Sequence, residues 1–170
     1  MPLPGGPPVK VEILKRIYGL LTEDVQESAI EMQIHGIPVR VPSPLILLRA
    51  KLENAVHLEQ DKKGFERQDV KHLKMALIVT GVVLKETVHA VHAGKIKARD
   101  CLDAFEDFIR AVTSRTAKRA TEMYGIHWTE GLPLDELAKS KNPKLRNFFE
   151  KRLSRCFPEI QKPRTPRSPA

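Results

Sequence analysis

Four side chains stand where chemistry could begin: Glu12, Lys51, Arg67 and Asp69. Glu12 is the one acid in an alternating segment, Val9-Lys10-Val11-Glu12-Ile13-Leu14, and falls on its charged side. A lone carboxylate there could hold Mg²⁺ only weakly. That ion keeps most of its waters and wants further carboxylates or a phosphate beside it. Lys51 lies next to an apolar stripe of Leu45, Leu48, Leu52 and Val56, and Arg67-Gln68-Asp69 opens the next helical pattern. The other titratable groups have plainer readings. His89 and His92 are three residues apart on a helix without a further ligand, and His57 and His72 stand alone, so all four read as surface or structural. Asp100, Asp103, Glu106 and Asp107 crowd the first turns of a helix, where the macrodipole favours acids. Cys101 and Cys156 lack metal-type spacing and read as reduced thiols of a cytoplasmic protein. No Walker or Rossmann glycine loop, H-E-x-x-H, C-x-x-C or G-x-S-x-G is present.

The elements that must position these residues follow from periodicity. Residues 9–14 alternate as a strand. Ile17–Leu21 suggests a bend, with Thr22 capping a brief helical turn. Residues 29–41 read as a β-hairpin: Ile30, Met32 and Ile34 share one side, His35-Gly36 makes the turn, and Val39 and Val41 return opposite Arg40. Ser43-Pro44 supplies a helix start, a hydroxyl for orphan N–H groups followed by a fixed φ. Helices are then expected over 43–59, 67–93 and 98–124. The second carries Val70, Leu73, Leu77, Leu84, Val88 and Val91 on one stripe, interrupted by Gly81. The third carries Leu102, Phe105, Ile109, Val112, Thr116, Ala120 and Met123. A short helix over 133–139 and a last one capped by Asn142-Pro143 complete the pattern. Leu48, Leu52, Leu73, Leu77, Leu84, Phe105, Ile109 and Val112 are the expected core. The fold class is therefore α+β: a small, truncated mixed sheet of about three strands followed by a helical bundle. Residues 1–8 form a loose lead, 9–157 a single domain (strands in 9–42, helices in 43–157), and 158–170 a basic, proline-rich disordered tail. Three strands make a poor independent sheet, so the sheet is expected to be incomplete at its N-terminal side.

Charge is distributed unevenly. Residues 1–138 balance, and the whole net +8 lies from Lys139 onward, including Lys144, Arg146, Lys151, Arg152 and Arg155. Those five are the candidate nucleic-acid contacts, since a basic segment can neutralise backbone phosphates. No run of consecutive apolar residues approaches membrane-spanning length, and no signal or transit peptide is recognisable, so no membrane partner is expected.

In this order, strand, hairpin, capped helix and R-x-D, residues 9–77 of 170 resemble the C-terminal half of the minimal nucleotidyltransferases. These belong to the polymerase-β-like superfamily, which includes abortive-infection toxins. The resemblance rests on Val9–Leu14, on Pro42-Ser43-Pro44-Leu45 with Lys51-Leu52, and on Arg67–Leu73. It implies Glu12 as the third metal-binding carboxylate for Mg²⁺, Lys51 and Asp69 as catalytic residues, and Arg67 as a nucleotide contact. Gln68 and His72 depart from the family's pattern, and its G-S…D-x-D segment has no counterpart before Val9. Two-metal phosphoryl transfer needs several carboxylates, so the chain is expected to be incomplete or inactive alone. Three readings stand: a nucleotidyltransferase-like protein lacking its first metal-binding acids, a helical module binding nucleotide or RNA through its basic C-terminal region, or an interaction protein whose open sheet is completed by a second copy or a partner chain.

Overall fold

The computed structural model describes residues 19–57 and 68–161. The expected strand at 9–14, with Glu12, the loose lead at 1–8, Arg67, and residues 162–170 of the tail lie outside the described residues. The α+β class holds: among the described residues a two-stranded antiparallel sheet precedes a helical bundle. A short helix α1 (Thr22–Glu27) leads in, with Leu21 rather than Thr22 at its cap position. The hairpin follows as β1 (Ile30–Ile34) and β2 (Ile37–Val41). Its register pairs Ile30 with Val41 and Met32 with Val39. His35 and Gly36 both adopt positive φ, 51° and 80°, the mirror-image turn whose twist suits a two-residue hairpin. The Arg40 guanidinium donates to the Gln26 carbonyl at 2.6 Å and ties the hairpin to the end of α1. Ile30, Met32 and Ile37 are exposed, so the sheet's apolar face is largely uncovered.

The bundle consists of α2 (Pro44–His57), α3 (Asp69–His92), α4 (Ala98–Val112), α5 (Arg115–Tyr124), α6 (Leu134–Ala138) and α7 (Pro143–Asn147). Ser43 accepts from the Ile46 N–H at 3.4 Å, and Asn142 accepts from the Lys144 and Leu145 N–H groups, so both expected caps form. All eight expected core residues are buried. The core lies between α2, α3 and α4, with Trp128, Leu137, Leu145, Phe148 and Leu153 closing it from the C-terminal side. The Thr80 hydroxyl donates to the Pro44 carbonyl at 3.1 Å, which sets the start of α2 beside the middle of α3, and the two run antiparallel.

Two expectations are corrected. The helix over 98–124 is broken: Thr113 back-bonds to the Ile109 carbonyl, and Ser114, extended at φ −62° and ψ 163°, caps a new helix through the Ala117 N–H. A Thr-Ser pair offers the backbone those side-chain partners in place of helical ones, and the break lets Ala117 and Ala120 bury against α2. Order also extends past residue 157. Pro158–Gln161 forms a 3₁₀ turn, with Ile160 packed against the core. By length and composition alone, α3 is long and apolar enough to cross a membrane. Charged residues punctuate it, but its apolar residues are not confined to one stripe.

Gly81 marks a close approach. The chain after α5 turns through a 3₁₀ segment, Trp128–Gly131, laid across α3. A Cβ on Gly81 would meet the Gly131 carbonyl oxygen at 3.1 Å and its Cα at 3.2 Å. Two glycines face to face allow that contact.

Candidate functional site

The larger cleft, about 740 Å³, opens between Gly19–Leu20, α1, the first turns of α2 and the end of α4. Ser43, Arg49 and Arg110 line it together with Asp24, Glu27, Glu53 and Asp107. Each arginine already has a carboxylate: Arg49 lies 3.8 Å from Asp24, and Arg110 lies 3.2 Å from Asp107. With acids outnumbering cations, this cleft offers little to a phosphate.

Lys51 does not line that cleft. It lies two residues beyond Arg49, about 200° around the helix, and so on the other side of α2. Lys51 lies on α2 and Asp69 at the start of α3. Among the described residues, no three His, Cys, Asp or Glu side chains are placed to hold a metal ion. His92 is turned to the Ser140 hydroxyl at 2.8 Å and His89 to Glu86 at 3.6 Å, so these two are not a ligand pair.

The five C-terminal cations divide. Arg152 makes a two-pronged contact with Glu106, both hydrogen bonds 2.8 Å, which fastens the C-terminal helical segment to α4. That contact holds the Glu106 carboxyl below its ordinary value and raises the Arg152 guanidinium above its own. Arg146 donates twice to the Ser140 carbonyl, at 3.2 and 2.9 Å. Both arginines are therefore committed to the fold. Lys144, Lys151 and Arg155 remain exposed. The acids at the start of α4 are similarly engaged: Asp100 accepts from the Lys97 N–H and Asp103 faces Arg99.

A second cleft of about 590 Å³ was not anticipated. It lies between the end of α2 and the start of α5 and is lined by His57, Arg115, Lys118, Arg119 and one acid, Glu122, with Val56 and Thr116. Arg115, Lys118 and Arg119 are exposed, and among the described residues none has an ion pair or hydrogen bond through its side chain. The first turn of α5 carries no acid. Ser114 occupies the Ala117 N–H, which leaves the N–H groups of Arg115 and Thr116 at the positive end of the helix. Helix end and cations add in the same direction, a field suited to phosphate oxygens. The sequence did contain a signal, Arg115-Thr-Ala-Lys-Arg directly after a capping serine. A charge count over 1–138 cancels it against acids elsewhere.

No protein-family model, curated protein or solved structure matches this chain.

Proposed function

We propose that this chain is a nucleotidyltransferase-like protein whose helical part binds the phosphate backbone of a nucleic acid and which transfers no nucleotide by itself. The observation that carries the binding is the cluster of Arg115, Lys118 and Arg119 around the α2–α5 cleft, where the lining holds three exposed cations against one acid, Glu122. Lys144, Lys151 and Arg155 are exposed as well, whereas Arg146 and Arg152 serve the fold. The likeness to nucleotidyltransferases rests on the sequence around Glu12, Lys51, Arg67 and Asp69. In that reading Glu12 would contribute one of several carboxylates to Mg²⁺, and the others come from elsewhere.

Binding through phosphates leaves a salt signature. Anisotropy of a labelled single-stranded RNA should show log K falling linearly with log salt, with a slope set by the number of phosphates neutralised. Replacing Arg115, Lys118 and Arg119 together by alanine is expected to flatten the slope by roughly 2 units, at about 0.7 per contact for a single strand. Removing 158–170 should flatten it less. Binding absent at low salt, or a slope untouched by the triple substitution, would refute the assignment.

A further inference from the structure

The face of α3 turned away from the core is apolar as well. Met75, Ile78, Val79 and Val82 are 53%, 61%, 46% and 55% exposed, at the spacing i, i+3, i+4, i+7. They lie opposite Leu73, Leu77, Thr80, Leu84 and Val88, which are buried. The stripe is symmetric about the midpoint between Ile78 and Val79: Met75 and Val82 are equidistant from it, and so are Lys71 and Glu86. Lys71 is exposed, and the Glu86 side chain is 68% exposed.

We propose that this face is the interface of a two-fold dimer in which α3 packs antiparallel against α3 of a second copy. An isologous contact needs a surface complementary to itself. Turned about that midpoint, Met75 meets the second copy's Val82, Ile78 meets its Val79, and Lys71 meets its Glu86, twice over. A parallel pairing would oppose Lys71 to Lys71 and Glu86 to Glu86, so the charges select the antiparallel one. The β-branched Ile78, Val79 and Val82 present a stiff ridge at small entropic cost. A lipid occupant fits the same face less well. Lys71, Lys74, Lys85 and Glu86 interrupt the helix at both ends, Lys85 is held 2.6 Å from Glu136 of α6, and the other side of α3 already packs on α2 and α4. This inference is independent of the nucleic-acid reading.

Sedimentation velocity on the full chain between about 1 and about 100 µM reads the monomer–dimer equilibrium. The expected result is a concentration-dependent dimer that Ile78→Glu abolishes while circular dichroism stays unchanged, since Ile78 touches no core. Lys71→Glu and Glu86→Lys should each weaken the dimer about tenfold, and the two together should restore it, because the swap rebuilds both cross-pairs. A monomer at every concentration would overturn the proposal. So would a dimer indifferent to Ile78→Glu, or one that the charge swap fails to restore. Monomers that bind phosphatidylcholine–phosphatidylglycerol vesicles through Ile78 would overturn it in favour of a membrane surface.

Discussion

Replacing Gly81 by alanine tests the close approach of α3 and the 3₁₀ turn, because two effects of known sign compete there. In the middle of α3 the substitution should gain about 1 kcal/mol of helix propensity. The new methyl would meet the Gly131 backbone, with oxygen, Cα and carbonyl carbon at 3.1, 3.2 and 3.3 Å. Backbone cannot rotate aside as a side chain can. The turn that carries it is held by buried Trp128 and Leu132, and by the Trp128 indole N–H donating to the Thr121 hydroxyl at 2.8 Å. Overpacking a tight contact costs roughly 1–3 kcal/mol, so the net effect of Gly81→Ala should be a loss of about 1 kcal/mol. Gly131→Ala drives its methyl into Leu77 Cδ1, with Phe108 Cζ behind it, and should lose about 2 kcal/mol. The double variant should lose less than the two losses added, because a turn displaced by one methyl makes room for the other. Urea melts followed by circular dichroism, with unchanged m-values, measure all three. A Gly81→Ala variant about 1 kcal/mol more stable than the parent would refute the argument, since only an unopposed helical glycine behaves that way.

Leu77→Ala empties a site enclosed by α3, α4 and the 3₁₀ turn and should cost about 2–5 kcal/mol, whereas a loss under about 1 kcal/mol in the same melts would mean the helix faces are misassigned. The Glu106 carboxyl, lowered chiefly by its hydrogen bond from Arg152, binds fewer protons folded than unfolded. Its contribution is therefore full above the unfolded value near about 4.3 and disappears as pH falls through the lower folded value. Arg152→Met should accordingly lose several tenths of a kcal/mol at pH 7, modest because the pair is partly exposed, and progressively less as pH falls below the unfolded value; a loss that does not change with pH would argue against the pair. Cys101 is fully buried and its thiol is pushed up by that burial, while Cys156 is partly exposed. A native thiol titration should count one fast group and reach the second only in denaturant. Labelled ATP, CTP, GTP or UTP with Mg²⁺ or Mn²⁺ and total tRNA should give no transfer; labelling that Glu12→Gln abolishes would show that further carboxylates reach the site.

Much of the architecture could be read from local patterns, because the forces behind them are local. His35-Gly36 between alternating segments gave the hairpin, Ser43 and Asn142 gave their caps, and three-four spacing gave the eight core residues. The break at Ser114 was equally local, a Thr-Ser pair capping its own backbone, and was masked by an apolar stripe running on through it. Periodicity placed Leu73, Leu77 and Leu84 on the buried side of α3, but it did not show that the opposite side, apolar as well, stays open. Met75, Ile78, Val79 and Val82 are as apolar as Leu73, Leu77 and Leu84, and only packing against α2, α4 and the 3₁₀ turn distinguishes them. The same holds for charge. Arg152 looks like any basic residue of the C-terminal region until the fold brings Glu106 within 2.8 Å of it, from a position 46 residues earlier. Arg115, Lys118 and Arg119 become the wall of a cleft only because the fold brings the end of α2, with Val56 and His57, beside them. Lys51 shares a helix with the cleft-lining Arg49, and a turn of about 200° separates them. Residue type and spacing determine which helices form and which faces could be buried. Which cations stay free and which apolar face stays open is decided by contacts between residues far apart in sequence, and those exist only once the helices have packed.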